Sequence, residues 1–208
     1  MKLRRWLLRG IALAWFVAGA CGLAGAGMVH TKARVAQWLV AHSWDAGVSS
    51  GEALSPWPWS DTRVVARLEV PALKASSYVF DSDSPAALAF GPGWSLLGVP
   101  GRESPQLSAG MGSEEMGGAL VISAHRDTHF EFLGALEAGM SLRLATVQGF
   151  VGQWRVDRAY VVDSRRGRLG FRVATGDLLL VTCYPLDALV PGGPLRLLVH
   201  ATPSRRPD

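Results

Sequence analysis

The sequence predicts an all-β barrel or sandwich carried behind one N-terminal transmembrane helix. Three features predict it. Residues Gly10 to Val29 hold no charged side chain. From Thr62 onward the chain divides into short apolar runs separated by glycine and proline, the pattern of a small β domain. A length of 208 residues suits one domain of ordinary size plus an anchor.

The N-terminal run comes first. Its 20 uncharged residues match the roughly 20 needed to cross a hydrocarbon core of about 30 Å. Lys2, Arg4, Arg5 and Arg9 precede it, and only Lys32 and Arg34 follow closely. That asymmetry is expected to keep the N-terminus in the cytoplasm and send the rest outside, as a single-pass protein of the cytoplasmic membrane. A cleaved signal peptide is the competing reading, since small residues cluster at Ala24-Gly25-Ala26. The run exceeds the roughly 7–15 apolar residues usual in such a peptide, which favours an uncleaved anchor. Residues 1–30 are therefore read as basic flank and anchor.

Residues 31–61 read as a spacer. A short helix fits 31–44, with Val35, Trp38 and Leu39 on one face. Ser49-Ser50-Gly51 and Pro56-Trp57-Pro58-Trp59 then interrupt regular structure, and the Trp-Pro pairs are expected to pack on the folded domain. The folded domain spans 62–203, and 204–208 form a tail. Its strands are read at Arg63–Val70, Ser77–Phe80, Ala119–Ser123, Leu142–Val147, Gly152–Val156, Ala159–Val162, Leu178–Thr182 and Leu195–Val199. A helical turn or two fits after His129, where Phe130, Phe132, Leu133 and Leu136 form a face. Ser108 to Gly118 reads as a loop.

Charge narrows the partners. The net charge is +4, but the basic residues are scattered and do not alternate with aromatics, so nothing points to nucleic acid. The two cysteines are Cys21, in the apolar run, and Cys183. A membrane between them would forbid a disulfide, which makes Cys183 a free thiol. His125 and His129 are four apart, but no Glu follows His125, so the zinc-protease pattern is missing. Asp81 and Asp83 fall short of the six to eight or so oxygen ligands calcium takes, and turn formation is preferred for them. No cofactor or metal is expected.

Three reactive side chains stand in or at the ends of apolar runs: His125 after ALVISA, Cys183 after LLLVT, and Arg196 in PLRLLVH. A thiol attacks a carbonyl as thiolate, and at a reference pKa near 8.5 only a few per cent is ionised at neutral pH. A histidine can take that proton and deliver it to a leaving amine. A fixed guanidinium can stabilise an oxyanion or hold substrate backbone. Together they would make a complete acyl-transfer set if the fold joins them.

The chain also carries a longer pattern: VVARL running into EVP from Val64, AFGPG from Ala89, HRDTHF from His125, LVTCYP from Leu180 and GGPLR from Gly192. On these motifs it resembles the sortase family from about Val64 to Ala201. It is most similar to the short, single-pass sortases of proteobacteria, near the class D group. The resemblance implies a closed β-barrel of eight strands with short helices. It implies that His125, Cys183 and Arg196 match the family's catalytic histidine, cysteine and arginine. The implied reaction cleaves a C-terminal sorting signal of a partner protein through a thioacyl-enzyme and transfers the acyl group to an amine. Thr182, Tyr184 and Leu186, beside the cysteine, are expected to border the substrate. Ala124 stands where sortases commonly have glycine before the histidine, which a negative φ would accommodate. Two alternatives remain open at this point: the same three residues with water as acceptor, a cysteine endopeptidase, and a silent barrel that binds partners.

Overall fold

Alternation of apolar and polar side chains gives each strand an inner and an outer face, and the inner faces close on one another. The computed structural model describes residues 2–98, 105, 107, 109–166, 171–188, 190 and 192–204. Eight strands follow a long helix: α1 Lys2–Ser50, β1 Val64–Val70, β2 Ala75–Phe80, α2 Pro85–Leu88, β3 Gly93–Leu97, β4 Ala119–Ser123, β5 Ser141–Thr146, β6 Val151–Asp163, β7 Leu178–Cys183 and β8 Leu195–Pro203. They form a closed barrel in the order β1-β2-β3-β4-β7-β8-β6-β5, with β5 returning to β1. The pairs β2–β3 and β4–β7 are parallel; the others are antiparallel. The β2–β3 seam is the thinnest, a single pair of Phe80 with Gly93.

The barrel is filled by Leu68, Val70, Val79, Trp94, Leu120, Ile122, Leu142, Leu144, Trp154, Val156, Leu178, Leu180 and Val199 among others. Trp154 is fully buried, and its indole N–H donates to the Gly176 carbonyl at 2.7 Å. The ring folds back over Gly152, where a Cβ would stand 2.2 Å from it, so glycine is required there.

Several boundaries differ from the sequence reading. The two runs read at Gly152–Val156 and Ala159–Val162 are one strand, β6, with a register shift between Val156 and Arg158. Asp157, at that irregularity, interrupted the apolar pattern without ending the strand. β3 was not anticipated, because its five residues follow directly on the turn-rich Gly91-Pro92. The helical turn after His129 is a 3-10 segment, Glu131–Ala135. The 108–118 region holds a 3-10 turn at Ser113–Met116 and buries Met116 in the core.

The short helix expected over 31–44 is part of the longer α1. That helix ends where glycine permits it: Gly51 has φ +75° and its N–H returns to the Gly47 carbonyl at 2.8 Å. The chain divides into two compact units, Met1–Leu39 and Val40–Asp208. Within the second, Val40 and Trp44 pack with Val64, Phe80, Ala87 and Val147 in a separate cluster outside the barrel interior. Trp57 meets Phe90 edge to face, while Trp59 is exposed. So one Trp-Pro pair packs on the domain and the other faces solvent.

Within the first unit the backbone of Gly10–Val29 is helical, and most of its side chains lie outside the described residues. Among the described residues no helix is long and apolar enough to cross a membrane. Trp15, Phe16 and Val17 are exposed on this helix.

Candidate active site

Cys183 is the last residue of β7, and its neighbours across the sheet decide what surrounds it. On one side β4 runs parallel, pairing Ser123 with Val181, and the Ala124 N–H continues the ladder to the Val181 carbonyl at 3.1 Å. His125 therefore leaves β4 level with Cys183. On the other side β8 runs antiparallel and pairs Arg196 with Cys183.

Strand alternation sets the faces. Leu178 and Leu180 of β7, Leu120 and Ile122 of β4 with Ala124 just beyond it, and Leu197, Val199 and Ala201 of β8 all belong to the core cluster. Their alternates on β7 and β8, which include Cys183 and Arg196, therefore point to the other face, and His125, just past the end of β4, is exposed. Three neighbouring strands thus bring the three sequence-predicted residues to one end of the barrel. Cys183 is a free, half-buried thiol.

Supporting contacts fix this end. Thr182, pointing inward and buried, donates its hydroxyl to the Ala124 carbonyl at 2.7 Å. That bond ties the residue before His125 to the residue before Cys183. Ala124 keeps a negative φ, since Lys74 is the one non-glycine residue with a positive φ among the described residues. Its methyl joins the core. After His125 the chain turns, and the Phe130 N–H donates back to the His125 carbonyl at 3.0 Å. Phe130 is fully buried beneath this turn.

The guanidinium of Arg196 is oriented by its own loop. Nη1 donates to the carbonyls of Gly193 at 2.6 Å and Leu195 at 2.8 Å. A guanidinium carries five donors, so this leaves others to serve a substrate oxygen. Nearby on β6, Asp163 is held by hydrogen bonds from the Arg165 side chain and backbone, which push its carboxyl down to about 2. Its charge is thus taken up by Arg165. On the other flank, burial holds the His129 imidazole below the ordinary histidine value. The neighbouring His125 lowers it further, and Asp127 opposes the shift.

Tyr184 and Leu186 are partly buried and pack against the core cluster. Leu186 fits over Gly134, where a Cβ would come within 2.6 Å of it. Arg126 was not singled out in the sequence, yet it donates to three carbonyls of the loop after Cys183: Pro185, Ala188 and Val190. The available signal was its place directly after His125; its partners, being backbone carbonyls, leave no trace in side-chain patterns. Asp81 accepts the Arg63 N–H at 2.9 Å, a structural use in a turn.

The model of the Sortase domain family matches residues 68–204, well over half of the 208 residues. The chain belongs to the sortase family. Membership implies a cysteine transpeptidase acting on proteins that carry sorting signals. Solved structures agree on the fold. Sortase A from Corynebacterium diphtheriae is 17% identical with a TM-score of 0.54, covering 88% of this chain and 97% of that one. Sortase C-1 from Actinomyces oris is 21% identical with a TM-score of 0.51, covering 68% and 72%. The pilus-related sortase C of Group B Streptococcus is 23% identical with a TM-score of 0.50, covering 68% and 67%. No curated protein matches the chain.

Proposed function

We propose that this sortase is a membrane-anchored transpeptidase whose catalytic residues are Cys183, His125 and Arg196. The observation that carries the reading is the register: β7 ends at Cys183, with Arg196 paired to it and His125 level with it on the other side. The Cys183 thiolate attacks the carbonyl carbon of the scissile peptide in a sorting signal. Arg196 donates hydrogen bonds to the oxyanion that forms. His125, as imidazolium, protonates the leaving amide nitrogen, and the C–N bond breaks to leave a thioester. An incoming amine then attacks that thioester. Its proton passes to His125, the C–S bond breaks, and the thiolate is restored.

Thr182 belongs to this site as the bond that aligns the His125 and Cys183 backbones, with Tyr184 and Leu186 bordering the acyl donor. The HRDTHF and TCYP motifs favour a class D-like subtype. The partners are a protein with a C-terminal sorting signal and an amine acceptor. The anchor reading is supported by the uncharged helical run and by the exposed Trp15, Phe16 and Val17, which lipid would cover.

The test is mass spectrometry of the full chain incubated with candidate sorting-signal proteins. The wild type is expected to form a thioacyl adduct, and Cys183→Ala none. An adduct on the alanine variant would overturn the assignment. Adding an amine and finding it in the product supports transpeptidation; products ending only in a free carboxylate would establish the endopeptidase instead. Recovery of the chain in a carbonate-washed membrane fraction tests the anchor, and release as a shortened soluble form would refute it.

A further inference from the structure

The loop after Cys183 is gripped by a side chain that the acyl-transfer scheme leaves idle. Arg126 directly follows His125. Its Nη1 donates to the Pro185 carbonyl at 2.9 Å, and its Nη2 donates to the carbonyls of Ala188 at 2.5 Å and Val190 at 3.3 Å. A guanidinium presents its donors in one rigid plane, so reaching three carbonyls of one loop fixes both position and orientation. Bonds from a charged donor are about twice as strong as neutral ones. The loop has little regular structure of its own: the Ala188 N–H makes a long 3.4 Å contact to the Pro185 carbonyl. Tyr184, at its start, is held by β8 through its N–H to the Leu195 carbonyl at 3.0 Å. Beyond it, a further hold is Leu186 seated over Gly134, and this and the Arg126 grip both come from the segment that begins at His125.

We propose that Arg126 is a positioning residue that locks residues 185–188 to the His125 turn and so shapes the wall against which the peptide acyl donor lies. The proposal rests on the reading of Cys183 as nucleophile. It assigns Arg126 no contact with the reacting atoms. Its loss should therefore impair reaction with a peptide while sparing reaction with a reagent too small to touch the wall. It also explains why a fork is needed there: a lysine ammonium is a point donor and cannot span carbonyls three residues apart in the same way.

The experiment uses the full chain as wild type, Arg126→Gln and Arg126→Lys. Three rates are compared: hydrogen exchange at residues 186–188, alkylation of Cys183 by iodoacetamide, and acylation of Cys183 by a randomised pool of peptidyl thioesters. In Arg126→Gln, loop exchange is expected to rise and peptide acylation to fall by about tenfold or more, while alkylation shifts by less than about twofold. Exchange in Leu178–Thr182 stays at wild-type values, and Arg126→Lys falls between. Unchanged loop exchange would overturn the proposal. So would a parallel fall of alkylation and acylation together with loss of protection in Leu178–Thr182, which marks general loosening. A wild type that is alkylated but never acylated would instead refute the nucleophile reading, and the exchange comparison would still decide whether Arg126 orders the loop.

Discussion

The hydroxyl of Thr182 reaches across from β7 to the carbonyl of Ala124 and so sets how His125 is presented. Replacing it by valine keeps the shape but leaves a buried carbonyl without its partner. Thr182→Val is expected to cost about 1–3 kcal/mol in urea unfolding and to slow thiol acylation as well. His129 offers a second test. Burial lowers its folded pKa, so the folded state binds that proton less readily than the unfolded chain. Its contribution is full above the ordinary value near 6.5 and is lost as pH falls below that value, completely so below the folded pKa. His129→Asn should therefore shrink the drop in thermal midpoint between about pH 7.5 and pH 5. Cys183, His125 and Arg196 were candidates in the sequence because reactive groups stand out in apolar runs and because they match the sortase-like motifs. Arg126 was not, because its first acceptor lies 59 positions away and is a backbone oxygen.

Strands were legible where alternation was strong, as in β5, where Leu142, Leu144 and Thr146 turn inward. The reading failed where a local signal conflicted with a long-range one. β6 looked like two strands because a charged residue sits at its bulge, yet β8 pairs with it on both sides of the irregularity. β3 was hidden behind Gly91-Pro92-Gly93. The structure gives Gly93 a purpose that composition could not: a Cβ there would stand 2.0 Å from the Ser82 carbonyl oxygen and 2.6 Å from the Asp83 Cα. Both obstacles are backbone. Gly93→Ala is expected to destabilise by at least the roughly 1–3 kcal/mol of an overpacked core site, read from the chemical denaturation midpoint. It should also disturb the β3–β4 ladder, whose first pair is Gly93 with Ser123, two residues before His125.

The division at Leu39 and Val40 makes a prediction for the whole molecule. The last turns of α1 belong to the barrel unit through Val40 and Trp44. A chain starting at Val40 is expected to unfold at the same midpoint as the full chain in detergent. Trp44→Ala, which empties a nearly closed site between helix and barrel, should cost about 3–5 kcal/mol by the same measurement. Equal stability of Trp44→Ala and wild type would show that the helix end is only tethered. This packing was the least legible part of the spacer. The stripe Val35, Trp38, Leu39 suggested a face, but the residues that carry the contact are Val40 and Trp44, and their partners come from β1, β2, α2 and the residue after β5.

The chain's local chemistry was sufficient for the fold class, since alternation implies strands and glycine and proline imply turns; a thiol, an imidazole and a guanidinium in apolar runs only made acyl transfer a candidate, which the sortase-like motifs then named. These are properties of neighbouring residues, so a linear reading reaches them. The order of strands around the barrel, the face to which each reactive side chain points, and the Arg126 grip on the loop beyond Cys183 all depend on pairings between distant segments. Register supplies these. A shift of one residue between β7 and β8 would turn Arg196 inward and separate it from Cys183, and only the packed barrel excludes that shift.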